Sequence, residues 1–329
     1  MAPYVSNTSR PVFAVTGLPE VVKGALFARY SRSPKSLRRL LVDEFLPAEE
    51  GALPGAVAEG PGAAKAEALY DRVLAEYGDD SVAQLGGAHI AVEGASNILT
   101  KILQWGRLAS YLEQSTRYIA FTDRPGGAYR YHRPADVMAH AALGPGYVRA
   151  IDAAFEGYAR LLPVMVDHVG AGVPQEPGTP AAARDRAVRA RALDLLRGLL
   201  PAATTANVGI YASGQAYEAM LIRMWAHPLP EARDCARAML AELRTVIPAF
   251  LTRVDRADRG VATGEYLAGG DRAAADLAGR LGLTAPSGHG EPGVRLIDFD
   301  PDGEARVLAH ALWPASGAGL GDVRSRAAA

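Results

Sequence analysis

Apolar positions recur at helical spacing along most of the chain. Leu37, Leu40, Leu41 and Phe45 share one face downstream of Ser33-Pro34, which reads as an N-cap followed by proline at the first helical position. Residues 51–62 are rich in glycine, alanine and proline and read as a loop. Residues 65–77 resume a helix, with Leu69, Tyr70, Val73, Leu74 and Tyr77 on one side. The mostly apolar run 90–104 predicts a buried helix. From Tyr147 onward Val148, Ile151, Phe155, Tyr158 and Leu162 form a stripe, and the prolines and glycines of 170–180 break it. Further helices are predicted over about 181–200, 215–226 and 231–246.

Strand signals are fewer. Tyr118 to Phe121 and Ala128 to His132 read as short strands around the turn Arg124-Pro125-Gly126-Gly127. Val294 to Phe299 and Ala305 to Leu312 flank Asp300-Pro301-Asp302-Gly303, a hairpin signal. The pattern predicts an α+β fold: a helix-rich single domain with a small antiparallel sheet over 1–255, and a C-terminal extension, 256–329, carrying a helix and an added β-hairpin. Neither a GxGxxG nor a GxxxxGK loop occurs, which argues against a Rossmann domain or a P-loop.

Composition narrows the function. The 329 residues are 49% apolar and carry a formal charge of -1, so no basic tail offers a patch for nucleic acid. No run of 18 apolar residues and no secretory signal is visible, and a cytoplasmic enzyme is expected. Cys235 is the single cysteine. It lies in the apolar stripe Ala232, Cys235, Ala236, Met239, Leu240 and Leu243, which reads as core rather than as a nucleophile. His89, His132, His140, His168, His289 and His310 are scattered, and no metal is expected.

The chemistry concentrates between Trp105 and Tyr118. If the backbone turns there, Ser115, Thr116 and Arg117 bring two hydroxyls, successive N–H groups and a guanidinium together, as a phosphate cradle requires. Glu113 adds an acceptor for a sugar hydroxyl. A solvated loop between helix and strand is the competing reading of the same composition. Ser115 as a nucleophile is disfavoured, because no histidine is placed to activate it.

This stretch resembles the RHRxxSxNExSxRY signature of the flavin-dependent thymidylate synthases. Arg107, Ser110, Glu113, Ser115, Arg117 and Tyr118 match it, whereas Trp105, Gly106 and Leu112 replace its arginine, histidine and asparagine. Upstream, Ala28-Arg29-Tyr30-Ser31 resembles the family's ARxS turn. The stretch 78–84 resembles its G-H-x-[ST]-x-x-E segment, with Ser81 on the hydroxyl position, Asp79 in place of histidine and Gln84 in place of glutamate. Downstream, Arg197 to Pro201 resembles R-x-x-LP, and Arg223 and His227 keep the i, i+4 spacing of a further arginine–histidine pair. The substrate glutamine falls on Gln104, although strict register gives Ile102.

The resemblance implies an enzyme that carries one carbon from methylenetetrahydrofolate to uracil C5, using FAD reduced by NADPH. It implies that Gln104, Glu113, Ser115, Thr116, Arg117, Arg197 and Arg223 hold the nucleotide, with Arg197 and Arg223 catalytic at the base. Ser31, Ser81, Gln84, Trp105, Arg107, Leu108 and His227 take the flavin side. It also implies a homotetramer with shared sites. The altered flavin half points to a diverged branch that methylates UMP and tolerates dUMP, like the UMP methylases of nucleoside-antibiotic pathways. A dUMP-specific housekeeping enzyme, a non-catalytic paralogue and a different flavoenzyme on the same fold are the rival readings.

Overall fold

A computed structural model describes residues 2–9, 13–30, 33, 35–46, 84–175, 177–178, 180–283 and 293–328. The loop expected over 51–62, the helix expected over 65–77, Pro34, Ser31 and Ser81 lie outside these residues. The chain divides into two compact units, Met1–Ala274 and Ala275–Ala329.

In the first unit, helix α1 (Glu20–Tyr30) precedes the short α2 (Leu37–Leu40), which runs on as a π-helical turn over Leu41–Phe45. Leu37, Leu40, Leu41 and Phe45 are all buried, as their spacing predicts. The cap is Ser36 rather than Ser33: its Oγ accepts from the Arg39 N–H at 3.3 Å.

Among the described residues the sheet has three strands in the order β1-β3-β2, all antiparallel: β1 (Gly87–Ser96), β2 (Ala109–Glu113) and β3 (Thr205–Ser213). Residues 90–104 are therefore not one buried helix. Their first part is strand, and only Asn97–Leu103 forms a helix, α3. The switch occurs at Ser96, whose Oγ accepts from the Leu99 N–H at 3.0 Å and donates to Glu231 at 2.6 Å. A continuous apolar run cannot separate a strand from a helix by periodicity; the N-cap serine decides it. Two residues of β1, Glu93 and Gly94, face the single Asn207 of β3, and Gly94 takes φ +70 and donates to Asn207 Oδ1 at 3.0 Å. This bulge bends the end of β1 toward α3.

Alternation along β3 buries Ala206, Val208, Ile210 and Ala212 on one face. Helices α7 (Gly214–Ala226) and α8 (Pro230–Val246) belong to the core under that face, burying Tyr217, Met220, Leu221, Met224, Ala236 and Leu243. A second cluster forms where α5 (Leu143–Gly172) pairs with α6 (Ala181–Leu196) over the segment 120–131. Phe121, Tyr129, Tyr131, Phe155, Tyr158 and Leu193 are its large members. The strands expected at 118–121 and 128–132 are not a hairpin. Residues 116–118 turn, Pro125–Gly127 is a 3-10 turn, and Tyr131 makes a lone bridge to Thr204, so its pairing partner is the distant residue that precedes β3. A short helix, α4 (Ala135–Ala139), links this segment to α5, and α9 (Ala262–Arg280) follows the core.

The second unit replaces the expected C-terminal hairpin with helices α10 (Gly303–Leu312) and α11 (Leu320–Ala327), and Ala309 and Val323 are buried in it. The DPDG sequence starts a helix instead of a two-residue turn. Asp300 Oδ1 accepts from the Asp302 N–H at 3.0 Å, and Oδ2 accepts from Arg306 at 2.9 Å. Carboxylates at a helix start are stabilised by its free N–H groups and dipole, which gives the motif a second solution besides the hairpin.

Candidate nucleotide-binding site

Glu113 closes β2, and its odd-numbered position in that strand gives it the half-buried face shared by Ala109 and Tyr111. The neighbouring helix α3 presents Lys101 to it, and the residue that caps that helix, Gln104, does the same. Lys101 Nζ donates to Oε2 at 2.9 Å and Gln104 Nε2 donates to the same oxygen at 2.7 Å. Burial alone would raise the Glu113 carboxyl, but the hydrogen bonds from Gln104 and Lys101 and the lysine charge outweigh it and hold the group below the usual carboxylate range. Glu113 is thus an ionised acceptor at neutral pH. Its contribution to stability is complete above its ordinary value of 4.5 and is lost as the pH falls through the lower folded value. We expect the stability gap between the wild type and Glu113→Gln to be constant above pH about 5 and to shrink on acidification, as read by urea unfolding at a series of pH values.

Beyond Glu113 the backbone folds tightly. Gln114 N–H donates to the Asn207 carbonyl at 2.8 Å, the Arg117 N–H to Ser115 Oγ at 3.3 Å and the Tyr118 N–H to the Ser115 carbonyl at 3.2 Å. This turn meets the end of α6, where Arg197 starts a 3-10 turn leading through Pro201 to Thr204 and β3. Between them lies a cavity of about 430 Å³ lined by Asn97, Lys101, Glu113, Gln114, Ser115, Thr116, Phe121, Arg197, Leu200, Pro201, Thr204 and Ala206. Its volume lies within the range typical of small-ligand sites. Thr204 is only 5% exposed, and its hydroxyl has no partner among the described residues. Arg117 and Arg197 are side by side: Arg197 Nη2 lies 3.0 Å and Arg117 Nε 3.6 Å from the same Asp194 oxygen.

Residues 28–249 match the profile described as Thymidylate synthase complementing protein. The chain belongs to this family. Two similar chlamydial proteins, both called UPF0159 protein, are 37% identical: one from Chlamydia muridarum over 95% of this chain and 60% of its own length, the other from Chlamydia pneumoniae over 97% and 61%. A UPF0159 protein from Thermoplasma acidophilum is 27% identical over 70% of this chain and 48% of its own length. The chain thus spans about three fifths of the length of the chlamydial relatives. Among solved structures, a UMP/dUMP methylase PolB from Streptomyces cacaoi, bound with 5-Br dUMP, superposes with a TM-score of 0.45 at 16% identity, over 70% of this chain and 88% of that one.

In this member of the thymidylate synthase complementing family, the fold gathers part of the expected site. Glu113, Ser115, Thr116 and Arg197 line the cavity, Gln104 reaches it through Glu113, and Arg117 adjoins Arg197. Arg223 does not line it. That guanidinium is half-buried, donates to the Ile102 carbonyl at 3.3 Å and is pulled below its ordinary pKa by desolvation, partly offset by Tyr111. Asn97, Lys101, Thr204 and Asp194 were not singled out by sequence reasoning. Only the i, i+3 spacing of Asp194 and Arg197, across the end of the helix predicted over about 181–200, could have signalled any of them.

Of the residues expected on the flavin side, the described ones, Gln84, Trp105, Arg107, Leu108 and His227, do not converge within one chain. Gln84 donates to Gln215 at 2.7 Å near the start of α7, whereas His227 caps the opposite end, about 18 Å along the axis at 1.5 Å per residue. His227 is held neutral: desolvation lowers it first, and the charges of Arg233 and Arg223 add to that. Its Nδ1 accepts from the Leu229 N–H at 3.1 Å. Trp105 and Leu108 are 74% and 76% exposed, and Arg107 is exposed beside them. These described residues form no flavin cradle in a single chain. Among the described residues no group of three histidine, cysteine or acidic side chains is placed to hold a metal, and no helix is long and apolar enough to cross a membrane.

Cys235 packs against the main core, and burial pushes its thiol up to about 11, with Glu231 adding to the shift. At pH 8 we expect alkylation by iodoacetamide roughly 100-fold slower than for an unfolded thiol, and full reactivity in 8 M urea, as followed by mass spectrometry.

Proposed function

We propose that this chain binds a uracil nucleoside monophosphate in the cavity beside β2 and methylates uracil C5, with UMP the preferred substrate and dUMP tolerated. The observation that supports this reading is the meeting of Glu113, Ser115 and Thr116 with Arg197, more than 80 residues away in sequence, around one cavity of about 430 Å³. In this reading Ser115, Thr116 and Arg117 hold the phosphate. Arg197, which the resemblance places at the base, joins them at the phosphate in this reading, because it approaches the same Asp194 oxygen as Arg117. Glu113 stays ionised and accepts from a ribose hydroxyl, and the Thr204 hydroxyl is a further donor for the ligand. Arg223 keeps its expected place at the base, in a homotetramer whose sites combine residues of several subunits.

The family's chemistry supplies the rest of the proposal: methylenetetrahydrofolate provides the carbon, and FAD reduced by NADPH, when bound, supplies the hydride. The C5 proton leaves as the new C–C bond forms, so tritium released from [5-³H]UMP measures the reaction. Release from UMP at a rate equal to or above that from dUMP is expected; a large margin in favour of dUMP replaces this reading with the dUMP-specific synthase. A second reading, a nucleotide-binding paralogue without methyl transfer, is favoured by the exposed Trp105 and Leu108 where the family places flavin contacts. Colourless protein that takes up no FAD and releases no tritium would establish it.

A further inference from the structure

Asp194 lies outside every motif that carries the resemblance, yet it sits among the arginines of the site. It occupies the last turn of α6. Its Oδ1 is 3.0 Å from Arg197 Nη2 and 3.6 Å from Arg117 Nε, and its Oδ2 is 3.9 Å from Arg191 Nη1. Oδ1 is buried and, among the described residues, receives no aligned hydrogen bond, so this carboxylate acts on the guanidinia mainly through its charge. Arg197 carries this cluster to the cavity wall, where the other two charged groups, Lys101 and Glu113, cancel each other.

Three guanidinia and one carboxylate carry a formal charge of +2. A phosphate monoester carries close to -2 at neutral pH, since its second pKa is about 6. We propose that Asp194 matches the charge of this site to a monophosphate and thereby disfavours longer phosphate chains. The proposal rests on the reading of the cavity as a nucleotide site. A nucleoside diphosphate brings about one further negative charge, for which this cluster has no uncompensated guanidinium and which the Asp194 carboxylate repels. Discrimination then comes from an unfavourable element set against the wrong ligand, as much as from contacts to the right one.

The charge count makes opposed predictions for substitutions on the two sides of the balance. Isothermal titration of UMP and UDP is to be made on the full chain and on Asp194→Asn, Arg191→Gln and the double variant, with circular dichroism confirming that each is folded. The wild type is expected to bind UMP more tightly than UDP. Asp194→Asn raises the cluster to +3 and is expected to shift the UMP-to-UDP affinity ratio toward UDP by roughly tenfold, the scale of one partly screened charge a few ångströms away. Arg191→Gln lowers it to +1 and is expected to move the ratio the other way. The double variant restores +2 and is expected to return the ratio to near the wild-type value, which a merely structural role for Asp194 would not produce. An unchanged ratio in Asp194→Asn, or a double variant that behaves like Asp194→Asn alone, overturns the charge-matching role. Failure of all four proteins to bind either nucleotide instead removes the nucleotide site, and this proposal with it.

Discussion

Arg197→Ala is expected to weaken UMP binding about 100-fold while leaving the helix content and the midpoint of urea unfolding almost unchanged. The two halves of that expectation come from different environments of one side chain. In the protein alone, Arg197 is half exposed, and its ion-pair partner is Asp194, itself shared with two other arginines. Exposed pairs of this kind contribute at most about 1 kcal/mol to folding, and less when one carboxylate serves several cations. Against a bound phosphate the same guanidinium would make charge-assisted hydrogen bonds in a partly enclosed cavity, where losing the donor costs about 2–3 kcal/mol. That loss corresponds to roughly 30- to 160-fold in affinity. Isothermal titration and circular dichroism on the same preparations separate the two effects. Wild-type affinity in Arg197→Ala would remove this residue from the site, and with it the assignment of the cavity to a phosphate ester.

The same contrast between local and distant interactions explains what the sequence could disclose. Helices were legible where a 3.6-residue stripe meets the core. Phe155, Tyr158 and Leu162 are buried on α5, and Ala232, Ala236, Met239, Leu240 and Leu243 on α8, in the pattern their spacing predicts. The central strand was not seen, although Ala206, Val208, Ile210 and Ala212 alternate through it. Two of those four are alanines and Gly209 lies between them, so its β-propensity is weak, and its stability comes from pairing with β1 and β2 on either side. The DPDG segment misled because its aspartates satisfy N–H groups equally well in a turn and at a helix start.

The site divides along the same line. Glu113, Ser115, Thr116 and Arg117 are close in sequence, and their residue types alone suggest an anion cradle. Lys101 and Thr204 enter only because α3 follows β1, β3 lies between β1 and β2, and Asn97 N–H donates to the Thr204 carbonyl at 2.9 Å. No local pattern encodes such a meeting. The resemblance could point to Arg197 because a motif surrounds it; no motif surrounds Asp194 or Thr204.

Gly214→Ala is expected to destabilise the first unit by about 3 kcal/mol, more than any substitution at the surface of the site, because of where Phe250 lies. Gly214 opens α7 directly after β3, and its N–H donates to the Gly86 carbonyl at 2.9 Å. A Cβ at residue 214 would fall 2.4 Å from Phe250 Cβ and 2.7 Å from its Cγ, while one at residue 86 would fall 2.3 Å from its Cε2. The ring is 1% exposed and so has nowhere to retreat. The gain in helix propensity from glycine to alanine, at most about 1 kcal/mol, acts in the opposite direction and is outweighed. Phe250→Ala should by itself cost about 3–5 kcal/mol through the cavity it leaves. Alanine at residue 250 keeps the Cβ that lies 2.4 Å from the added methyl but removes the Cγ and the ring behind it, so in that background residue 250 has room to yield and the effect of Gly214→Ala should shrink without vanishing. A double-mutant cycle by urea unfolding therefore tests the packing directly: a coupling of about 1–2 kcal/mol between residues 214 and 250 is expected, the part of the clash that the ring contributes. Additive effects would mean that the first turn of α7 can shift away from the ring, and the close approach of β3, α7 and Phe250 would not then be what fixes this junction.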